Sequence, residues 1–165
     1  MQNHIKPTPI KKLFLTFALF SIALTTNAQW TQTNGPEGGI INALITSGTN
    51  LFAGTAGGGV FLSTDNGSSW TAVNNGLTNT SVRSFAKIGT NLFAGTDVGV
   101  VLSTNNGSSW NTVNNGLTSN NVYSLAVVGT NLFAGIAYGG GVFLSTNNGS
   151  SWTQVNIGLP TTANE

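Results

Sequence analysis

Few side chains in this sequence can carry charge or do proton chemistry, so the candidates are quickly named. Two carboxylates, Glu37 and Asp97, fall in loops expected on one face of the fold. A glycosidase needs such a pair about 5–10 Å apart, one on each side of the scissile bond. Arg83 can pair with a carboxylate or stack on a ring. Tyr123 and Tyr138 offer rings that stack on sugar or peptide, and Asn42 offers an amide. The single histidine, His4, lies in the N-terminal leader, and cysteine is absent. That excludes an intact Ser-His-Asp triad, a Cys-His pair and any His- or Cys-ligated metal site after the leader is removed. The expectation is a chain with no catalytic residue, no metal and no cofactor, whose ligand face is Asn42, Arg83, Tyr123, Asp97, Tyr138 and Glu37.

What positions these residues is a repeat. Ser63-Thr64-Asp65-Asn66-Gly67-Ser68-Ser69-Trp70 returns as Ser103-Thr104-Asn105-Asn106-Gly107-Ser108-Ser109-Trp110, 40 residues on. It returns again as Ser145-Thr146-Asn147-Asn148-Gly149-Ser150-Ser151-Trp152, after 42 more. Asn-Gly tolerates positive φ at both positions and predicts a tight turn between two strands. Asp65 can accept bonds from nearby backbone N–H groups and hold the turn; Asn105 and Asn147 keep the acceptor and lose the charge. Each Trp opens the next strand, where its ring can cover the turn. The Asn-Gly-Ser triplets at Asn66, Asn106 and Asn148 fit the glycosylation acceptor pattern but are read as turn chemistry. Their Asn-Gly bonds also fit spontaneous deamidation.

Ser-x-Asp-x-Gly-x-x-Trp is the pattern of the Asp-box, or BNR repeat. Ser63, Asp65, Gly67 and Trp70 match it in full. The second copy (Ser103, Asn105, Gly107, Trp110) and the third (Ser145, Asn147, Gly149, Trp152) depart from it at the acidic position. The chain thus resembles the propeller repeats of sialidases, xyloglucan-degrading hydrolases, sortilin-type ectodomains and photosystem II assembly-factor-like proteins. The resemblance covers about residues 30–160 and implies a β-propeller in which the motif is structural and lies away from the active face. It does not imply sialidase chemistry, which needs an arginine cluster, whereas Arg83 is the one arginine here.

Residues 1–28 read as a secretory signal peptide. Lys6, Lys11 and Lys12 precede an apolar run of 12 residues, Leu13 to Leu24, and Thr26-Asn27-Ala28 suits cleavage before Gln29. The run is shorter than the roughly 20 residues of a helical span. The mature segment, 29–165, keeps Arg83 and Lys87 as cations and Glu37, Asp65, Asp97 and Glu165 as anions. Its net charge is −2, against +1 for the whole chain. Nucleic acid is therefore not an expected partner, because phosphate binding needs clustered Lys and Arg.

Each repeat of about 40 residues reads as four short strands, the unit of a propeller blade. In the middle copy these are Val82–Ile88, Asn91–Thr96, Val100–Ser103 and Trp110–Asn114. The expected fold is all-β: a partial β-propeller of three four-stranded antiparallel blades, at about 40–74, 81–114 and 121–156, plus an extra N-terminal outer strand at Trp30–Asn34. Closed propellers have about four to eight blades. Three blades leave two open faces, to be covered by more of a longer protein (the favoured reading) or by another copy of the chain.

Alternating strand directions put the Asp-box turns on one face. The loops between second and third strands fall on the other, and they differ in length and sequence between copies. The sequence reading is a secreted, non-catalytic binding or scaffolding segment, at the cell exterior or in the periplasm, with carbohydrate or protein as partner. The alternatives are a fragment of a carbohydrate-active enzyme and a photosystem II assembly-factor-like protein.

Overall fold

The computed structural model describes residues 35–36 and 39–159. The leader 1–28, the Trp30–Asn34 strand and Glu37 lie outside the described residues. Twelve strands form three four-stranded antiparallel sheets, each in simple chain order. The first holds β1 (Ile41–Ser47), β2 (Asn50–Thr55), β3 (Val60–Ser63) and β4 (Thr71–Ala72). The second holds β5 (Val82–Ile88), β6 (Asn91–Thr96), β7 (Gly99–Ser103) and β8 (Asn111–Thr112). The third holds β9 (Val122–Val128), β10 (Asn131–Ile136), β11 (Gly141–Ser145) and β12 (Thr153–Gln154). These are propeller blades. The fourth strands are shorter than the sequence suggests, two residues each.

The blades pack face to face. Phe52 and Val60 of the first blade meet Val82, Leu92, Ala94, Val101 and Trp110 of the second in one core. Phe93 and Val100 of the second meet Val122, Leu132, Ala134, Phe143 and Trp152 of the third in another. Both faces of a middle blade are therefore apolar, which explains why its second and third strands read as continuous hydrophobic runs rather than as alternating ones.

The repeated octet, Ser63–Trp70 in the first blade, closes the turn between third and fourth strands. Ser63 Oγ accepts from the Gly67 N–H (2.8 Å) and donates to Asp65 Oδ1 (2.8 Å). Asp65 Oδ1 accepts from the Ser69 N–H (2.9 Å) and Oδ2 from the Ser69 hydroxyl (2.6 Å). Asn105 and Asn147 reproduce this, with the amide donating to Ser109 and Ser151 where the second carboxylate oxygen accepted (2.8 Å each).

The Trp side chains do more than cover their own turns. The Trp110 indole N–H donates to the Val73 carbonyl of the preceding blade (2.8 Å), and Trp152 does the same to Val113 (2.8 Å). Their backbone N–H groups donate to the Asn75 and Asn115 carbonyls (2.9 Å each). Trp110 is 2% exposed and Trp152 4%. Each Trp is a bolt between blades. Trp70, in the first blade, is only half-buried, and its indole N–H has no partner among the described residues.

Candidate functional site

Propeller blades put a β-bulge where the sequence varies most. In β1, Ile41 pairs with Thr55 and Ala43 with Gly54, leaving Asn42 unpaired. In β5, Val82 pairs with Thr96 and Ser84 with Gly95, leaving Arg83 unpaired. In β9, Val122 pairs with Ile136 and Ser124 with Gly135, leaving Tyr123 unpaired. A bulge bends its strand and re-aims one side chain. The same bend brings a neighbouring side chain so close to the partner strand that only glycine fits opposite. A Cβ on Gly95 would lie 2.6 Å from Ser84 Oγ, and one on Gly135 2.3 Å from Ser124 Oγ.

Two of the re-aimed side chains meet. The Arg83 guanidinium carbon lies 4.3 Å from the centre of the Tyr123 ring, a cation–π contact. Arg83 Nε donates to Asp97 Oδ1, in the loop between β6 and β7. That bond holds the Asp97 carboxyl below its usual range and the Arg83 guanidinium above its own. Both side chains remain about 30% exposed, so the pair adds little to stability. Tyr138 stands edge-on to Tyr123, with ring centres 6.4 Å apart and planes at 77°. The neighbouring Tyr123 hydroxyl keeps the Tyr138 phenol above its usual pKa. Asn42 is used differently: its amide donates to the Val82 carbonyl (2.9 Å) and ties the first blade to the second.

Tyr138 is 85% exposed and has a φ of 54°. Among the described residues, the other non-glycine residues with positive φ are Asn66, Asn106 and Asn148, a type that tolerates the left-handed region. A Tyr there is strained, and such strain clusters at ligand sites. The loop that holds it is two residues longer than its counterpart in the second blade and one longer than that in the first. The Gly140 N–H closes it onto the Ala137 carbonyl (3.2 Å), and the Ala137 N–H fastens it to the Asn121 carbonyl (3.0 Å). The two tyrosines line an open recess of about 500 Å³ together with Ser124, Ile136, Ala137 and Val142. Its lining is mostly apolar.

Arg83, Asp97, Tyr123 and Tyr138 thus form one cluster across the second and third blades. Asn42 contributes to the framework, and Glu37 lies outside the described residues. Sequence reasoning missed the side chains that shape the loops: Asn74, Asn114 and Asn156. Asn114 Oδ1 accepts from the Val100 N–H (2.7 Å), and its amide donates to the Val98 carbonyl (2.9 Å). Asn74 and Asn156 accept from Val60 and Val142 in the same way. Each sits four residues past the Trp, and that fixed spacing was the available signal. Among the described residues there is no group of three or more His, Cys, Asp or Glu that could hold a metal, and no helix long and apolar enough to cross a membrane.

Residues 51–165 match the family described as the DUF6242 beta propeller domain. The chain belongs to the DUF6242 beta-propeller family. Among solved structures, this DUF6242 propeller is similar to an ancestral GH74 enzyme, at 26% identity and a TM-score of 0.61, over 75% of this chain and 19% of that one. It is similar to the GH74 enzyme of Niastella koreensis at 26% identity and a TM-score of 0.54, over 78% and 20% of the two chains. It also shares its fold with YCF48 from Cyanidioschyzon merolae, at 17% identity and a TM-score of 0.59, over 75% and 39%. The DUF6242 propeller spans about a fifth of the length of the GH74 enzymes it matches. A comparison with curated proteins finds no match.

Proposed function

We propose that this DUF6242 propeller is a non-catalytic binding segment that works outside the cytoplasm and takes a carbohydrate on the Arg83–Tyr123–Tyr138 cluster. The observation that carries the reading is Tyr138: a large ring held into solvent in a backbone conformation that costs about 1–2 kcal/mol. A sugar ring stacks on such a face, and its hydroxyls bond to the phenols and to the Arg83–Asp97 pair. The pair is charge-balanced, so a neutral sugar fits better than an acidic one. Location outside the cytoplasm is supported by the leader-like residues 1–28 alone.

The test is affinity electrophoresis in gels that contain one soluble neutral polysaccharide each. Retardation that Tyr138→Ala and Arg83→Ala abolish is the expected result. Mobility unchanged in every gel, or retardation that survives Tyr138→Ala, overturns the reading.

The second reading, a piece of a glycoside hydrolase, draws on the 26% identity to the two GH74 enzymes. Against it stands Asp97, whose carboxyl is committed to Arg83 and held ionised, a poor general acid. The third, a photosystem II assembly-factor-like protein, has only the shared fold with YCF48 in its favour. Self-association through the end blades belongs to the proposal as well: light scattering that gives a single-chain mass would remove it.

A further inference from the structure

Five of the six Asn-Gly pairs of this chain lie within the described residues, in two structural settings, and the difference bears on the chemical lifetime of the protein; the sixth, Asn34-Gly35, begins outside them. The pairs of the repeated octet are Asn66-Gly67, Asn106-Gly107 and Asn148-Gly149. The pairs Asn75-Gly76 and Asn115-Gly116 lie in the turns that receive the Trp of the next blade. Deamidation starts when the glycine backbone nitrogen, losing its proton, attacks the Asn side-chain carbon. The C–N bond to the side-chain amide breaks, the proton leaves with ammonia, and a five-membered imide remains. Water then opens the imide at either carbonyl, giving aspartate or isoaspartate. The step needs a free, acidic glycine N–H.

In the repeated octet the glycine N–H is not free. Gly67, Gly107 and Gly149 donate to Ser63, Ser103 and Ser145 Oγ, at 2.8 Å in every copy, and all three bonds are buried. A bond that an N–H donates stabilises its protonated form and opposes the attack. In the Trp-receiving turns the polarity is reversed. The Asn75 and Asn115 carbonyls accept from Trp110 and Trp152, at 2.9 Å. A donor on the carbonyl oxygen favours loss of the proton from the same peptide group. The Gly76 and Gly116 N–H groups have no partner among the described residues, and both glycines are exposed. The third blade has Asn156-Ile157-Gly158 at this position and so lacks the susceptible pair.

We infer that, of these five pairs, Asn75 and Asn115 are the ones that deamidate in the folded chain, and that the serines of the repeated octet protect Asn66, Asn106 and Asn148. This reverses the expectation from sequence, which marked the pairs at Asn66, Asn106 and Asn148 themselves. Isoaspartate at Asn75 or Asn115 would put an extra methylene and a charge into the joint between blades.

The test is peptide mapping by mass spectrometry of the full chain aged in mildly alkaline buffer, folded and in urea. In the folded chain Asn75 and Asn115 should convert severalfold faster than Asn66, Asn106 and Asn148; in urea the five rates should converge. Ser103→Ala should raise the rate at Asn106 severalfold while Asn148 stays slow. If Ser103→Ala unfolds the chain, Asn148 accelerates too, and the wild-type comparison of folded with unfolded chain still decides. Equal rates at all five sites in the folded wild type, or an unchanged Asn106 in folded Ser103→Ala, would overturn the inference.

Discussion

At the scale of single residues, charge in this protein is a local device. Asp65 is fully exposed, yet its carboxyl is held near a pKa of about 2, against an ordinary 3.8, first by the Ser69 hydroxyl, then by the Ser69 N–H and the Ser63 hydroxyl. A depressed carboxylate pKa stabilises the fold above its unfolded value and loses that contribution as pH falls through the folded one. The first blade should therefore weaken between about pH 4 and pH 2. Asp65→Asn, which installs the side chain already present at Asn105 and Asn147, should flatten that acid limb and leave the urea midpoint at neutral pH nearly unchanged. Denaturation curves at several pH values read both effects. Asp97→Ala should change folding stability by under about 1 kcal/mol, because the exposed pair it breaks is worth little. A larger loss would move Asp97 from the ligand cluster into the framework. The cluster itself was legible only as single letters. That Arg83 and Tyr123 were special followed from their common place in the repeat. Their mutual contact follows from the bulge, which no residue type announces.

At the scale of elements, the blade is held by its Trp more than by its fourth strand, which pairs over only two residues. Trp110 is buried between two blades and bonded to the first. Trp110→Ala should cost about 3–5 kcal/mol. Trp70→Ala should cost visibly less, since that ring is half-buried and its N–H is unpaired among the described residues. Thermal melts of the two variants side by side give the comparison, and equal losses would mean that the Trp acts within its own blade. The strands themselves were readable from the sequence. Alternation of Gly-rich turns with Val, Leu and Phe runs placed β5 and β6 at their observed bounds. The fourth strands came out shorter: beyond them Val73 and Val113 still donate to the Val60 and Val100 carbonyls, while their own carbonyls accept from the next blade's Trp.

At the scale of the whole molecule, stability is a sum of blade joints, as in other repeat folds. Two joints are complete among the described residues, and the glycines report them. A Cβ on Gly116 would lie 2.3 Å from the Trp152 carbonyl oxygen; one on Gly158 would meet nothing within 4 Å. Both glycines have positive φ, 92° and 85°, so an alanine pays a similar backbone cost at each. Gly116→Ala should therefore be less stable than Gly158→Ala by about 1–3 kcal/mol, the cost of forcing a closed joint apart. Chemical denaturation of both variants measures it, and a difference near zero would mean that the joint carries no stability.

The sequence by itself determined the repeat, the all-β class, the blade as the unit and the turn chemistry of the repeated octet. Each of these depends on residues within one repeat of about 40, where hydrophobic pattern and turn residues act over short distances. Tertiary structure alone decided which side chains meet across blades: Arg83 with Tyr123, Trp110 with Val73, Asn42 with Val82. It alone also separated the shielded Asn-Gly bonds from the open ones. Those contacts join residues roughly 40 apart in the chain. Their geometry is set by a bulge and by the packing of one sheet on the next, and neither has a local signature.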